Sequence, residues 1–334
     1  MIAATGLLGY AALLLFLTPA LARAEWPDRA PRLAIAVWLA LAASAIASVM
    51  LAGLALLVAA PRVSHAVGWL LAICGWKLQA WYAHPGGTAL GIGGAVVAGL
   101  LAARVAWCTV ATMTATARAG RRHRLRLLLA GRPDARLGAL VVEHGEAAAY
   151  CMPGARQPVV LTTAALQLLD DNQLAAVLAH ERAHQAGRHH LLVSLAAIPA
   201  AAFPHLPAFA RARDEVARLA ELVADDAAAA HSPRLAVAEA LLTLGTAPER
   251  PAAQPAAWAL GAGGSTAAAR VRRLIAAPNP LGRAARTAGT LAVAALVALP
   301  LLLMSAPALG VFPVGYHPHW AASGHHPHRH THTL

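Results

Sequence analysis

Four stretches of the chain carry almost no polar residues. Ile2 to Ala22, Leu33 to Ala60, Gly86 to about Trp107 and Ala288 to about Leu309 each suit a membrane span, which takes about 20 apolar residues as a helix. Pro300 interrupts the fourth, as membrane helices tolerate. Arg104 near the end of the third can reach headgroups with its long stem. Leu21-Ala22-Arg23-Ala24 offers small residues for signal-peptide cleavage, but no Lys or Arg precedes the first stretch, so a retained span is expected.

Between the third and fourth stretches the pattern changes. Leu137 to Glu143, Ala147 to Met152 and Val159 to Thr163 read as strands, with His144-Gly145 and Pro153-Gly154 as turns between them. A small antiparallel sheet is the economical arrangement. Helical spacing follows: Asp170 and Gln173 form a capping-box pattern ahead of Leu174, Val177 and Leu178. A second polar–apolar helix is expected over Arg211 to Ala230. Between these helices, Leu191 to Phe209 is apolar but broken by Pro199, Pro204 and Pro207, and reads as a membrane-adjacent hairpin or core element.

Composition fits this picture. The 334 residues are 58% hydrophobic and 13% charged, against about 25% charged in soluble domains. A disordered chain and an ordinary soluble enzyme are both excluded. The formal charge is +12, which by itself suits either nucleic acid or a membrane. Position decides. Arg118, Arg121, Arg122, Arg124, Arg126, Arg132 and Arg136 follow the third stretch; Arg270, Arg272, Arg273, Arg283 and Arg286 precede the fourth; Arg23, Arg29 and Arg32 lie between the first two. The loop between the second and third has only Arg62 and Lys77, with Trp69, Trp76, Trp81 and Tyr82 as an interfacial belt. The basic loops thus fall on one side, which predicts a cytoplasmic insert, an outside N-terminus and an outside C-terminal tail. Direct nucleic-acid binding is not expected; the bilayer is the partner.

The insert carries chemistry. His180-Glu181-Arg182-Ala183-His184 is an H-E-x-x-H motif on an expected helix. Residues four apart share a face, so both imidazoles can address one ion. A catalytic Zn²⁺ uses three protein ligands and an open position, and makes water acidic enough for a neighbouring carboxylate to deprotonate. Glu181 is the expected general base. Glu221 suits the third ligand, and Asp225, one turn on, suits an acceptor for the free N–H of a ligating imidazole. Asp226 is expected at the surface. With 15 acidic residues in the whole chain, this cluster is more than a solvated helix face.

These residues resemble the BlaR/MecR-type membrane zinc metallopeptidases in a short form. The matching segments are Ala149-Tyr150-Cys151-Met152-Pro153-Gly154, Val160-Leu161-Thr162, Leu178 to His184 with Arg188-His189-His190, and Glu221 to Asp225, together with three spans before the domain and one after it. The zinc motifs alone are shared with HtpX-like gluzincins. The resemblance implies a mainly α multi-pass membrane protein of about four transmembrane helices with an inserted α+β gluzincin-type domain. Its expected organisation is a membrane domain over 1–112, a cytoplasmic peptidase over 113–287, a fourth span over 288–309 and an extracytoplasmic tail over 310–334. It further implies one Zn²⁺ held by His180, His184 and Glu221, Glu181 as base, and a protein or peptide substrate such as a DNA-binding repressor or the chain itself. About 25 residues follow the fourth span, without an S-x-x-K motif, so a penicillin-binding sensor domain is not expected. The rivals are HtpX-like quality control of membrane proteins and a metal-responsive signalling protein with a structural zinc site. Oligomeric state is not readable.

The tail holds His317, His319, His325, His326, His328, His330 and His332, a tract able to bind metal or to be incidental. His189 lies five residues from His184 on what reads as the same helix, hence off the ligand face, and packing or headgroup contact is expected for it and for His190. His205 reads as a loop residue. Arg218, His205 and Arg270 are the candidates to stabilise an oxyanion. Cys74, Cys108 and Cys151 fall in different regions and are expected to be free thiols.

Overall fold

The computed structural model describes residues 2–58, 87–152, 158–246 and 264–305. The outer aromatic group, Cys74, the Pro153-Gly154 turn and the His-rich tail, including His325, His326, His328, His330 and His332, lie outside the described residues. The described chain is mostly helical: α1 (Ile2–Arg23), α2 (Trp26–Arg29), α3 (Pro31–Val58) and α4 (Gly87–Ala130) come first. A sheet follows, β1 (Gly131–Asp134), β2 (Ala139–Val142), β3 (Ala149–Cys151) and β4 (Val159–Thr162). Then come α5 (Thr163–Leu168), α6 (Asp171–Ala186), α7 (His189–Ala202), α8 (Pro207–Ala228), α9 (Arg234–Gly245), α10 (Gly264–Ile275) and α11 (Arg283–Ser305).

α1, α3, α4 and α11 are long and apolar enough to cross a membrane. They pack through small residues and well-defined rungs. Leu7 meets Ala52 and Ala55, and Leu14 meets Leu41 and Ala45. A Cβ on Gly53 would lie 2.5 Å from the Gly94 carbonyl oxygen, so glycine sets the close approach of α3 and α4. Ser44 donates a 2.6 Å hydrogen bond to the Leu296 carbonyl and ties α11 to α3. The helix that carries the third apolar stretch does not stop near Trp107. It runs on to Ala130, because no proline or turn sequence interrupts it, and carries the arginine run of residues 118–126. Leu127 then joins a small core with Leu140, Met152 and Val160.

The sheet departs from the antiparallel expectation. Its order is β1-β2-β4-β3, with β2 and β4 parallel and both outer pairs antiparallel. The chain passes from β2 to the far edge, and β3 hairpins back onto β4. All four residues of β4 are buried, as expected of a central strand covered on both faces. β1 is an additional edge strand; its Gly-Arg-Pro-Asp sequence has no apolar alternation, and its proline fits an edge.

α6 begins at a complete capping box in which Asp170 accepts from the Gln173 N–H and Gln173 accepts from the Asp170 N–H. Its Leu174, Val177 and Leu178 pack with Val159, Leu161 and Ala165. The helix ends at Gly187, and Arg188 is left-handed at φ 49°. α7 and α8 then form a helical hairpin. Val216, Leu219, Leu222 and Val223 of α8 pack on Ala34, Ile35 and Trp38 of α3. At the closed end Arg104 donates from Nε to the Ala202 carbonyl, so this side chain contacts protein, and Arg211 reaches the Thr18 hydroxyl at 3.4 Å. The α1–α3 connector reaches the middle of α8 and the α10 region: Arg218 pairs with Asp28 at 2.7 Å, Arg273 donates to the Asp28 carbonyl at 3.0 Å, and Arg29 donates to the Asn279 carbonyl at 3.2 Å.

Candidate metal centre

Two helices meet at the site. α6 presents His180 and His184 one turn apart with their Nε2 atoms 3.1 Å from each other. Glu221 on α8 faces both, with one carboxylate oxygen 3.5 Å from His180 Nε2 and the other 3.4 Å from His184 Nε2. The donor atoms of the three residues lie within 4.8 Å of one another.

The outward nitrogens are also engaged. His180 Nδ1 lies 3.0 Å from Asp225 Oδ1. Asp225 is fully buried and is held by Arg270, whose Nε and Nη2 both donate to it at 2.7 Å. Arg270 Nη1 lies 3.0 Å from Glu221. His184 Nδ1 lies 2.9 Å from His189 Nδ1. Each imidazole therefore turns Nε2 inward and has a partner for Nδ1, the arrangement that fixes tautomer and ring orientation in ligating histidines. Two imidazole nitrogens and one carboxylate are a donor set that fits Zn²⁺.

Glu181 occupies the adjoining position. Its carboxylate accepts from the Cys151 backbone N–H and hydrogen-bonds the Cys151 thiol at the β3 edge of the sheet. Burial raises the pKa of Glu181. Burial, followed by the nearby Glu181 charge, pushes the Cys151 thiol up to about 12, so it is protonated at neutral pH. Burial opposes the charge on His180, but hydrogen bonds to Asp225 and Glu221 outweigh it and raise its pKa to about 10. Burial likewise opposes the Glu221 carboxylate, yet the two histidines hold it well below the usual carboxylate range. Burial and the neighbouring His184 charge lower His189 to about 4, leaving a neutral ring able to accept from His184.

The expected residues separate clearly. His180, His184, Glu221, Asp225 and Glu181 converge. Asp226 lies outside, 40% exposed and paired with Arg273 at 2.7 Å. Arg218 pairs with Asp28 and Glu215, away from the group, and His205 is exposed at the hairpin tip. Arg270 is at the site, but its guanidinium is committed to carboxylates.

His189 is buried, in line with the packing expected of it, but it does not share the helix of His184: the chain breaks helix at Arg188 and starts α7 in a new direction, which brings the ring against His184. Gly187, directly after α6, was the available signal. Arg270 had none as a partner of Asp225: it stands 45 residues further along, on another helix.

The family comparison agrees with this geometry. The model of peptidase family M48 matches residues 123–309, more than half of the chain. The chain belongs to peptidase family M48. Members of this family are metallopeptidases and are generally zinc-dependent. The M48 match begins within α4 and runs through α11. No curated protein and no solved structure matches the chain.

Proposed function

We propose that this M48 peptidase is a membrane-bound zinc endopeptidase in which His180, His184 and Glu221 hold one Zn²⁺ and Glu181 is the general base. The observation that carries the reading is the convergence of two Nε2 atoms and one carboxylate from α6 and α8, with Asp225 and His189 behind the imidazoles. When bound, the ion polarises the scissile carbonyl and makes water a nucleophile at neutral pH. Glu181, beside the metal-binding group, would act as the general base for a water there and would pass the proton on to the leaving amine. Burial strengthens its basicity, and the Cys151 N–H keeps the carboxylate in place. The three protein donors leave room for substrate, which favours a catalytic centre over a closed structural one.

The domain, an inserted gluzincin-type α+β unit in this reading, faces the cytoplasm with both termini outside. Support comes from the arginine-rich segments beside the spans and from the contacts that place the α1–α3 connector beside α8 and α10. The span arrangement favours regulatory proteolysis, with a cytoplasmic DNA-binding repressor or the chain itself as substrate.

Glu181→Gln tests the mechanism. The variant is expected to retain zinc by elemental analysis while cleavage falls about 10²–10⁴-fold. A fully active variant excludes Glu181 as base. Comparative proteomics of wild type and Glu181→Gln tests the substrate: one accumulating repressor supports regulation, whereas many accumulating membrane proteins support an HtpX-like quality-control role.

A further inference from the structure

Glu221 has three polar partners among the described residues: His180, His184 and Arg270. An ion held by the two imidazoles and the carboxylate replaces the two histidine contacts. The contact that survives is with Arg270, whose Nη1 lies 3.0 Å from Glu221 Oε2. The other edge of the same guanidinium is taken by Asp225, with Nε donating to Oδ2 and Nη2 to Oδ1, each at 2.7 Å. One side chain therefore grips two carboxylates that stand one turn apart on α8. A planar fork of donors suits this task, whereas a lysine ammonium is a point charge on a flexible stem.

Arg270 is itself held in place. α10 packs through Val271 and Leu274 into a core with Ala176, Ala228, Val237 and Ala238. Arg234 of α9 donates to the Arg273 and Leu274 carbonyls at 2.9 Å each and closes the end of α10. One turn beyond Arg270, Arg273 donates to both oxygens of Asp226 at 2.7 and 2.8 Å. α10 is thus pinned along α8 at two consecutive aspartates. Arg270 is 5% exposed, so solvent screens its pairs little. Charge points the same way. Glu181, Glu221 and Asp225 all act on this one guanidinium. With the three ionised, two negative charges are left over, and a divalent ion cancels them. Without Arg270 the loaded site keeps a buried negative charge, which is costly.

We propose that Arg270 is a positioning residue for Glu221 in its own right, holding Oε2 so that the carboxylate meets the metal through Oε1 alone, and is more than a support for Asp225. The proposal rests on the zinc-site reading above. A carboxylate that spends one oxygen on the ion leaves the remaining position open for substrate.

The test uses the full chain in detergent, stripped of metal with a chelator and reloaded. Zinc affinity is measured by competition for wild type, Arg270→Lys, Asp225→Asn and the double variant. The lysine variant keeps the buried positive charge but cannot span both carboxylates. Arg270→Lys is expected to weaken zinc about 10–100-fold, and still about tenfold in the Asp225→Asn background. A residue that acts only through Asp225 loses its effect in that background. Equal affinities of Asp225→Asn and the double variant therefore overturn the proposal, as does an Arg270→Lys variant equal to wild type. Cobalt in place of zinc gives a readout that lower stability does not imitate, because its visible absorption weakens when a fifth donor atom joins four. Arg270→Lys is expected to lose intensity as Glu221 turns both oxygens to the ion. An unchanged cobalt spectrum overturns the proposal even where the affinity falls. A wild type that takes up neither ion overturns the zinc reading itself and the proposal with it, whereas metal-loaded variants indistinguishable from wild type overturn the proposal alone.

Discussion

The two helices that supply the candidate ligands are held by different kinds of core. α6, with His180 and His184, packs on the sheet through Leu174, Val177 and Leu178, as in a soluble domain. α8, with Glu221, packs through Val216, Leu219, Leu222 and Val223 on Ala34, Ile35 and Trp38 of a membrane-length helix. The ligand set therefore closes only when a sheet-based core and a span-based core are in register. A metal ion held by these three residues would brace the two cores against each other. The polar groups behind the ligands all come from outside the sheet core: Asp225 on α8 and Arg270 on α10 brace His180, and His189 on α7, which packs with α8 on α3, braces His184.

The largest effect is expected from unbalancing the two cores. Trp38→Ala removes a side chain that is 1% exposed from the α3–α8 contact, a change worth about 3–5 kcal/mol for a large aromatic residue. Leu178→Ala in the sheet core costs about 2–5 kcal/mol. Thermal unfolding in detergent reads both. Zinc loading distinguishes them, since loss of the α3 contact frees Glu221 while α6 keeps its two histidines in place. If Trp38→Ala binds zinc as tightly as wild type, the span does not position the third ligand.

Next in size is Asp225→Asn, expected to weaken zinc about 10–100-fold in a chelator competition, because Arg270 competes for the one remaining oxygen and the amide N–H2 faces His180 in place of the carboxylate that fixes its tautomer. An unchanged affinity removes Asp225 from the site.

A smaller, graded effect comes from pH. His180 is raised to about 10 and carries a proton in the metal-free protein at neutral pH. That proton stabilises the metal-free fold fully below the ordinary histidine range, and the stabilisation is lost as pH rises through about 10. Zinc must displace it. Affinity is therefore expected to rise about tenfold per pH unit above neutrality and to level off near pH 10. Calorimetry in buffers of different ionisation enthalpy counts the proton. Release of none at pH 8 shows that His180 is already neutral before metal binds.

The same division governs what the sequence could tell. The candidate ligands were legible because a four-residue period is a property of one helix: His180 and His184 share a face whatever surrounds them, as do Glu221 and Asp225. The spans were legible because length and apolarity are local. Whatever depends on where chain segments return was not. β4 lies between β2 and β3 because of a crossover that strand patterns do not encode. His189 reaches His184 only because one residue, Arg188, is left-handed. Arg270 finds Asp225 across a separation of 45 residues. The hairpin lay between these cases: its prolines gave the turn, and only packing on α3 and α4 gave its place.

The smallest effect expected is at the connector, and it sharpens the comparison most. Asp28 pairs with Arg218 on α8 at 2.7 Å, with the two side chains 48% and 29% exposed. At that exposure solvent screens the pair, and Asp28→Asn is expected to cost about 0.2–1 kcal/mol, less at high salt. Arg273 still reaches the Asp28 backbone carbonyl, which the substitution leaves intact, and still pairs with Asp226. Two of the three links thus survive, and the apolar contact of α8 with Trp38 is untouched. Zinc affinity is accordingly expected to match wild type at all salt concentrations. A salt-sensitive fall in affinity would instead mean that the α1–α3 connector, and not the apolar face of α8, sets the position of Glu221. The membrane helices would then reach the metal centre through charge at the connector rather than through packing along the helix.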